Sequence, residues 1–355
     1  MATIRSKIYH VLVAQLILCL GVVASSFAHA QTKVTVALAR NFITPAEEIF
    51  TIAVPKQLGY FKEEGIEVEI LTTNGSSAAL LALTSGDADI AYASSINLVS
   101  AIENGMPVKA FAGLTLVWPY YIAVPEGSPI QTVADLKGKK VGVINRASAS
   151  YSDLQANLRL AGLSESDVTI IPVGVDMQAA AALRSNQIDA LNNYSDSFAT
   201  IQNSGLKLRF LPRPQELENL FSVTMVTSGQ TLAQQPEMLA KFARAAYKGI
   251  IYTRQNPKEA LALGCKEFPR LAGCDDLEGE KGQNTYGVML MALGDSIPAG
   301  QSDPAAWGQW LNISQDKWQA LLDFAHNAGK TQDKLTPEQV WDDSLMPKIY
   351  NFDTP

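Results

Sequence analysis

Residues 77–109 read SAALLALTSGDADIAYASSINLVSAIENGMPVK, and residues 177–209 read MQAAAALRSNQIDALNNYSDSFATIQNSGLKLR. Laid over one another without gaps, the two stretches share Ala79/Ala179, Ala82/Ala182, Leu83/Leu183, Ser85/Ser185, Asp89/Asp189, Ser95/Ser195 and Gly105/Gly205. Ala and Ser are abundant in this chain, so the identities alone carry little weight. The stronger parallel is physical. Both stretches pass through an apolar helix, a turn with an aspartate, a short apolar strand, a small polar loop and a second helix stopped by glycine. A second parallel lies upstream of each copy: VTVALAR (34–40) and KVGVINR (140–146) are each a strand followed by an arginine. Two lobes of similar α/β construction account for both observations.

Strand and helix patterns alternate at short spacing from residue 34 to residue 114. Strands are expected at 34–39, 66–71, 90–93 and 108–114, and helices at 46–58, 78–84 and 96–104. This alternation predicts parallel βαβ units. Two extended apolar runs, WPYYIAVP (118–125) and LFSVTMV (220–226), are expected to cross between the lobes and form a two-crossing hinge. The expected partition is therefore a discontinuous first lobe, 31–123 plus 226–355, and a second lobe, 124–225. Helices at 236–254, 258–268, 303–311, 315–328 and 337–345 complete the first lobe. In such folds a ligand cleft opens between the lobes at the carboxyl ends of the strands.

The first 30 residues differ in kind. Arg5 and Lys7 precede a largely apolar run, and Ala28-His29-Ala30 has the small-x-small form of a cleavage site. A secretory signal peptide cleaved after Ala30 is expected, with the mature chain free in the periplasm. Leu18 is bulky where a lipoprotein with Cys19 at its start needs a small residue. Removing the leader leaves 26 basic and 35 acidic residues, a net charge of −9. That balance argues against nucleic-acid partners. Cys265 and Cys274 remain, nine residues apart; an oxidising compartment favours one disulfide closing a local loop, and two buried free thiols are the alternative. With His326 the one histidine left, no metal-ligand cluster is visible, and neither a metal nor a cofactor is expected.

No catalytic residue can be assigned. G-x-S-x-G, H-E-x-x-H, C-x-x-C and the nucleotide-binding glycine patterns are all missing. Asp87 and Asp89 read as turn caps, as does Asp189. Binding is better supported. Four small polar loops, at 74–77, 94–97, 147–150 and 193–195, each open a helix whose unpaired N–H groups favour polar ligands. Arg40 and Arg146 stand at equivalent strand ends, one per lobe, placed to clamp a carboxylate or sulfonate. The alternative is that each pairs with a local acid; Glu47 and Glu48 are close to Arg40 in sequence and would quench it or bind an amino group. Trp118 and Tyr120 are candidates for stacking on a planar ligand, or for hinge packing.

The segments LGYFKEEGIEVEI, ALLALTSGDADIAYASS, NGMPVKAFAGL, VADLKGKKVGV, LAGLSESDVTIIPV and AAALRSNQIDAL follow one another between Leu58 and Leu191. In this order they resemble the periplasmic solute-binding proteins of ABC importers, in the nitrate/sulfonate/taurine and thiamine-pyrimidine-precursor group. The resemblance implies a type II periplasmic-binding-protein fold, a small-molecule ligand, a monomeric receptor and a membrane permease as partner. It places ligand contacts at Arg40-Asn41, Ser94-Ser95, 147–150 and Asn193-Tyr194. The first loop, ARNFITPAEEIF, departs from the family pattern by being longer and charged. The candidate binding set is Arg40, Asn41, Glu48, Ser76, Ser94, Ser95, Trp118, Tyr120, Arg146, Ser148, Ser150, Asn193 and Tyr194. The preferred ligand is a small organic anion, sulfonate or carboxylate, held by Arg40 and Arg146. An aminopyrimidine accepted by Glu48 is the alternative. A pyrimidine-synthesising enzyme on the same fold is the alternative from another class, although the Cys-rich and His features of the fungal synthases are missing. A sensory receptor is a third.

Overall fold

The computed structural model describes residues 31–332 and 334–353. The leader expected over 1–30 lies outside them. Among the described residues the strands are β1 (Thr32–Leu38), β2 (Ile66–Thr72), β3 (Ile90–Ser94), β4 (Val108–Gly113), β5 (Tyr120–Pro125), β6 (Lys140–Val143), β7 (Thr169–Pro172), β8 (Ala190–Tyr194), β9 (Leu208–Phe210) and β10 (Val223–Ser228). They form two five-stranded sheets in the orders β2-β1-β3-β10-β4 and β7-β6-β8-β5-β9. The orders match position for position. In each sheet four strands run the same way and the fourth in order, β10 or β5, runs antiparallel to both its neighbours. The helices that flank them are α1 (Ser76–Ser85), α2 (Ser95–Glu103), α3 (Ala149–Leu160), α4 (Asp176–Arg184), α5 (Ser195–Asn203), α6 (Pro236–Gln255), α7 (Pro257–Glu267), α8 (Glu280–Ser296) and α9 (Gln315–Asn327).

The repeat in the sequence is a repeat in the structure. Asp89 and Asp189 do the same job: each exchanges two backbone-level bonds with the strand beside it. The Thr35 N–H donates to Asp89 Oδ2 at 2.8 Å, and the Lys140 N–H to Asp189 Oδ2 at 2.8 Å. In return the Asp89 and Asp189 N–H groups donate to the Thr35 and Lys140 carbonyls. These aspartates prolong the parallel ladder where its backbone partners run out.

The two runs expected to cross between lobes lie inside the sheets instead. β5 is paired on both sides within the second sheet, and β10 on both sides within the first. The boundaries expected at 123/124 and 225/226 thus cut through strands. The reason is burial: Ile122, Ala123 and Val124 are 5% exposed or less, as are Met225 and Val226, and such runs belong between neighbours rather than in a bridge open to water. The chain passes between the sheets at 114–119 and 211–222. There the Leu114 and Thr115 N–H groups donate to the Val223 carbonyl, and the Ser222 and Val223 N–H groups donate to Thr115 Oγ1 at 3.2 and 2.8 Å. The Trp118 indole N–H donates to Asp153 Oδ1 at 2.7 Å, and Asp153, fully buried, also accepts from Asn157 and Asn192.

The C-terminal helices cover the first sheet. α6 starts with Pro236 in its first turn and buries Leu239, Phe242, Ala243 and Ala246; Phe242 stacks on Phe61 at 5.2 Å. Three expectations fail here. α8, 17 residues long, is absent from the sequence reading because its opening turns are polar and glycine-bearing and its apolar residues crowd into the second half. Residues 303–311, expected as a helix, hold one short turn at Pro304–Ala306, since Gly308 adopts a positive φ of 56°. The helix expected over 337–345 ends at Val340, because Trp341 turns extended and bridges to Ala110 of β4. Cys265 and Cys274 do form a disulfide, closing the loop after α7.

Asp89→Ala and Asp189→Ala are each expected to lower the unfolding free energy by about 1–2 kcal/mol, the range for a charge-assisted hydrogen bond at a partly exposed site. Urea denaturation of the two variants, compared at equal m-value, measures this.

Candidate functional site

β1, β3, β6 and β8 point their carboxyl ends at a cavity between the lobes, about 70 Å³ in volume. Arg40 stands two residues past β1, Ser94 ends β3, Ile144 and Asn145 follow β6, and Tyr194 ends β8. Of the candidate residues, Arg40, Asn41, Ser76, Ser94, Tyr120, Ser148 and Tyr194 line it. The others stand behind or beside the wall. Ser95 bonds the Phe221 carbonyl, Ser150 accepts from the Ile144 N–H, and Asn193 bonds Ser197. These residues brace the loops. Trp118 packs on Tyr120 and Phe324.

Arg146 does not join Arg40 in a clamp. Its guanidinium lies over the Tyr151 ring and bonds the Tyr151 hydroxyl at 3.0 Å, on the exposed outer side of the loop. It borders a neighbouring open groove instead. The local sequence explains this. An arginine followed by a helix with Tyr at the fifth position meets that ring across one turn before it can reach back to the cleft.

Arg40 has its own partners. It donates to Thr44 Oγ1 at 2.5 Å and to Glu47 Oε1 at 2.7 Å, and its Nε lies 3.5 Å from Glu48 Oε1. Asp196 of the opposite lobe is 4.0 Å from its Nη1, and the Tyr194 ring is 5.3 Å from its Cζ. Glu48 is fully buried behind the wall, with Oε2 accepting from Thr44. A wide π-type turn over Ile49–Ala53 follows directly on the two glutamates. One cation therefore serves three carboxylates, and Asp176 and Asp295 lie close enough to add to the same field. Burial pushes the Glu48 carboxyl up to about 7 against the pull of Arg40, and the Asp196 carboxyl up to about 8 against the same pull. Burial lifts Asp295 to about 6, opposed by the hydrogen bond that Ser195 donates across the lobes.

Helix N-termini meet at the cleft as the loops suggested, yet their positive ends are already answered. Asp176 and Asp196 sit in the first turns of α4 and α5. The Ser77 N–H of α1 donates across the cleft to the Ala147 carbonyl at 3.4 Å. Sequence reasoning missed the aromatic walls Phe42 and Tyr92 and left Glu47 outside the set. Tyr92 had a readable signal: it is the one aromatic side chain in the buried run IAYAS of β3. Tyr92 lines the cavity, and its buried hydroxyl lies beside Thr51.

The family model described as NMT1/THI5 like matches residues 47–260. The chain belongs to the NMT1/THI5-like family. Among relatives of this family member, the riboflavin-binding protein RibY of Chloroflexus aurantiacus is 27% identical over 315 residues, covering 88% of this chain and 86% of the relative. The 4-amino-5-hydroxymethyl-2-methylpyrimidine phosphate synthase of Legionella pneumophila is 29% identical over 227 residues, covering 62% and 70%. Among solved structures, the alkanesulfonate-binding protein SsuA of Xanthomonas axonopodis pv. citri, bound to MOPS, superposes with a TM-score of 0.63 at 16% identity, covering 88% of this chain and 99% of the other. A protein of Bordetella bronchiseptica RB50 superposes with a TM-score of 0.71 at 21% identity, covering 90% and 97%. The fold is the type II periplasmic-binding-protein fold.

Two predictions follow from the geometry of the NMT1/THI5-like cleft. Glu48, Asp196 and Asp295 carry folded-state pKa values above those of an unfolded carboxyl, so the folded chain holds protons that the unfolded chain has released. Stability of the ligand-free protein is expected to fall as pH rises from about 4 and to level off above about 8. Melting temperatures across that range measure it, and Glu48→Gln is expected to flatten the curve below about pH 7, leaving the part set by Asp196 up to about 8. The second concerns closure. A Cβ on Gly75 would lie 2.6 Å from the Ala147 oxygen, and Gly75 has a φ of 122°. Gly75→Ala is expected to hold the lobes apart, giving a larger radius of gyration in solution scattering than the parent chain.

Proposed function

We propose that this chain is the receptor of an ABC importer, working in the periplasm after loss of the 1–30 leader, and that it closes over one compact solute bearing an amino group rather than over an organic anion. The observation that carries this reading is the state of Arg40. The guanidinium expected to clamp an anion is already met by Glu47, Glu48 and Asp196. An incoming sulfonate or carboxylate would have to displace Glu47, losing one charge-assisted bond to gain another, so it gains little net attraction. An amino group meets acceptors instead. Closure works by population shift: contacts made from both lobes stabilise the closed form, which the permease then recognises.

An organic anion is the second reading, favoured by the presence of Arg40 on the cavity wall. A synthase reading, raised by the Legionella relative, finds no lysine, histidine or cysteine among the lining residues to form an adduct with a substrate or cofactor.

A thermal-shift panel tests the proposal. 4-Aminopyrimidines are expected to raise the melting temperature by several degrees at neutral pH, with taurine, methanesulfonate, benzoate and nitrate leaving it unchanged. Stabilisation by the anions alone would overturn it, and mass-spectrometric detection of turned-over ligand would make the chain an enzyme.

A further inference from the structure

The walls of the cleft carry more than an acceptor. Phe42, Tyr120 and Tyr194 line the same cavity as Tyr92, and Glu47 joins them. Glu47 spends one carboxylate oxygen, Oε1, on Arg40; no hydrogen bond is made to its Oε2 among the described residues. Tyr92 stands on the same wall, its buried hydroxyl turned to Thr51. Aromatic faces attract cations through their quadrupoles, and most strongly where water is excluded. A carboxylate oxygen and a phenol oxygen accept from N–H groups. We propose that the occupant of this cleft is a small organic cation, an amidinium or a substituted ammonium, held by Glu47 Oε2 and enclosed by the tyrosines. The proposal rests on the reading of the chain as a solute receptor and sharpens the charge of what it receives.

The surrounding charges agree. Acids crowd this space from several elements: Glu47 lines it, Glu48 is buried behind it in the first loop, and Asp176 of α4, Asp196 of α5 and Asp295 of α8 act on the same charges. Arg40 is the cation among them, and Arg213 acts on Asp295 from further off. With the cleft empty, Glu48 and Asp196 relieve their crowding by keeping protons near neutral pH. A bound cation relieves it instead, so binding releases protons and strengthens as pH rises.

Calorimetric titration of the mature chain compares acetamidinium and tetramethylammonium with their uncharged counterparts, acetamide and tert-butyl alcohol, and with acetate and methanesulfonate. The cations are expected to bind at least tenfold tighter than their counterparts, and about tenfold tighter at pH 8 than at pH 6 for each proton released. Glu47→Gln is expected to weaken the cations at least tenfold; Asp196→Asn, the second variant, is expected to flatten the pH dependence. Equal binding of cation and counterpart with no pH dependence overturns the charge assignment and leaves the receptor reading standing. Tightest binding by the anions, strengthening toward pH 6, overturns the cation and the amino-bearing solute together and leaves a receptor for anions. No binding by either cation overturns the proposal while the wider solute panel still judges the receptor.

Discussion

A single hydroxyl holds the two connections of this molecule together. Thr115 Oγ1 accepts from the Ser222 and Val223 N–H groups, on a chain segment more than a hundred residues away. Both crossings are fastened at this one point, which restricts how the lobes can be placed against one another. Everything at the cleft depends on that restriction. Arg40 meets Asp196 and Tyr194 of the other lobe, Ser195 meets Asp295, and Ser77 meets Ala147. Each pair is a cross-cleft contact. The Trp118–Asp153 bond extends the fastening into the second lobe, fixing the indole against a carboxylate that three N–H donors satisfy.

The electrostatics of the cleft follow from what closure does to charge. Bringing Asp196 against a loop that already contains Glu47 and Glu48 crowds carboxylates around one guanidinium, and burial raises the cost of ionising Glu48 and Asp196. The proposed preference for positive charge follows from this arrangement, in which the cation is paired and acids lie behind it. Breaking a buried pair of this sort by truncating one partner costs about 3–5 kcal/mol, which makes Arg40 as much a structural centre of the first loop as a ligand contact. The same residue that suggested an anion clamp in the sequence is thus the reason to prefer positive charge in its neighbourhood.

Much of the architecture was legible because it is written twice. The helix–strand–helix unit around Asp89 and its copy around Asp189 show the lobes, the strand ends and the glycine stops, and the loops at those strand ends do build the cleft. What was not legible has physical causes. β5 and β10 read as apolar extended runs, and nothing in their composition tells a crossing from a sheet strand; the difference lies in which neighbours they find. α8 hides behind polar opening turns. Among the site residues, side-chain direction was the missing quantity. Ser94 and Ser95 are adjacent and chemically the same, yet one lines the cavity and the other fastens the Phe221 carbonyl. Arg146 matched Arg40 by position in the repeat, but Tyr151, with no aromatic counterpart at the same offset from Arg40, draws it away.

The sharing of strands between the lobes also sets an order of assembly. The second sheet draws all its strands, β5 to β9, from one continuous stretch, residues 120–210. The first sheet does not. β4 has β10 as its one ladder partner, and β10 comes after the whole second lobe. As the chain emerges from a ribosome or a translocation channel, residues 108–113 must wait as an open edge until residue 228 appears. The later-made lobe can therefore finish first, and the earlier one is completed from behind, by the strand that returns from it.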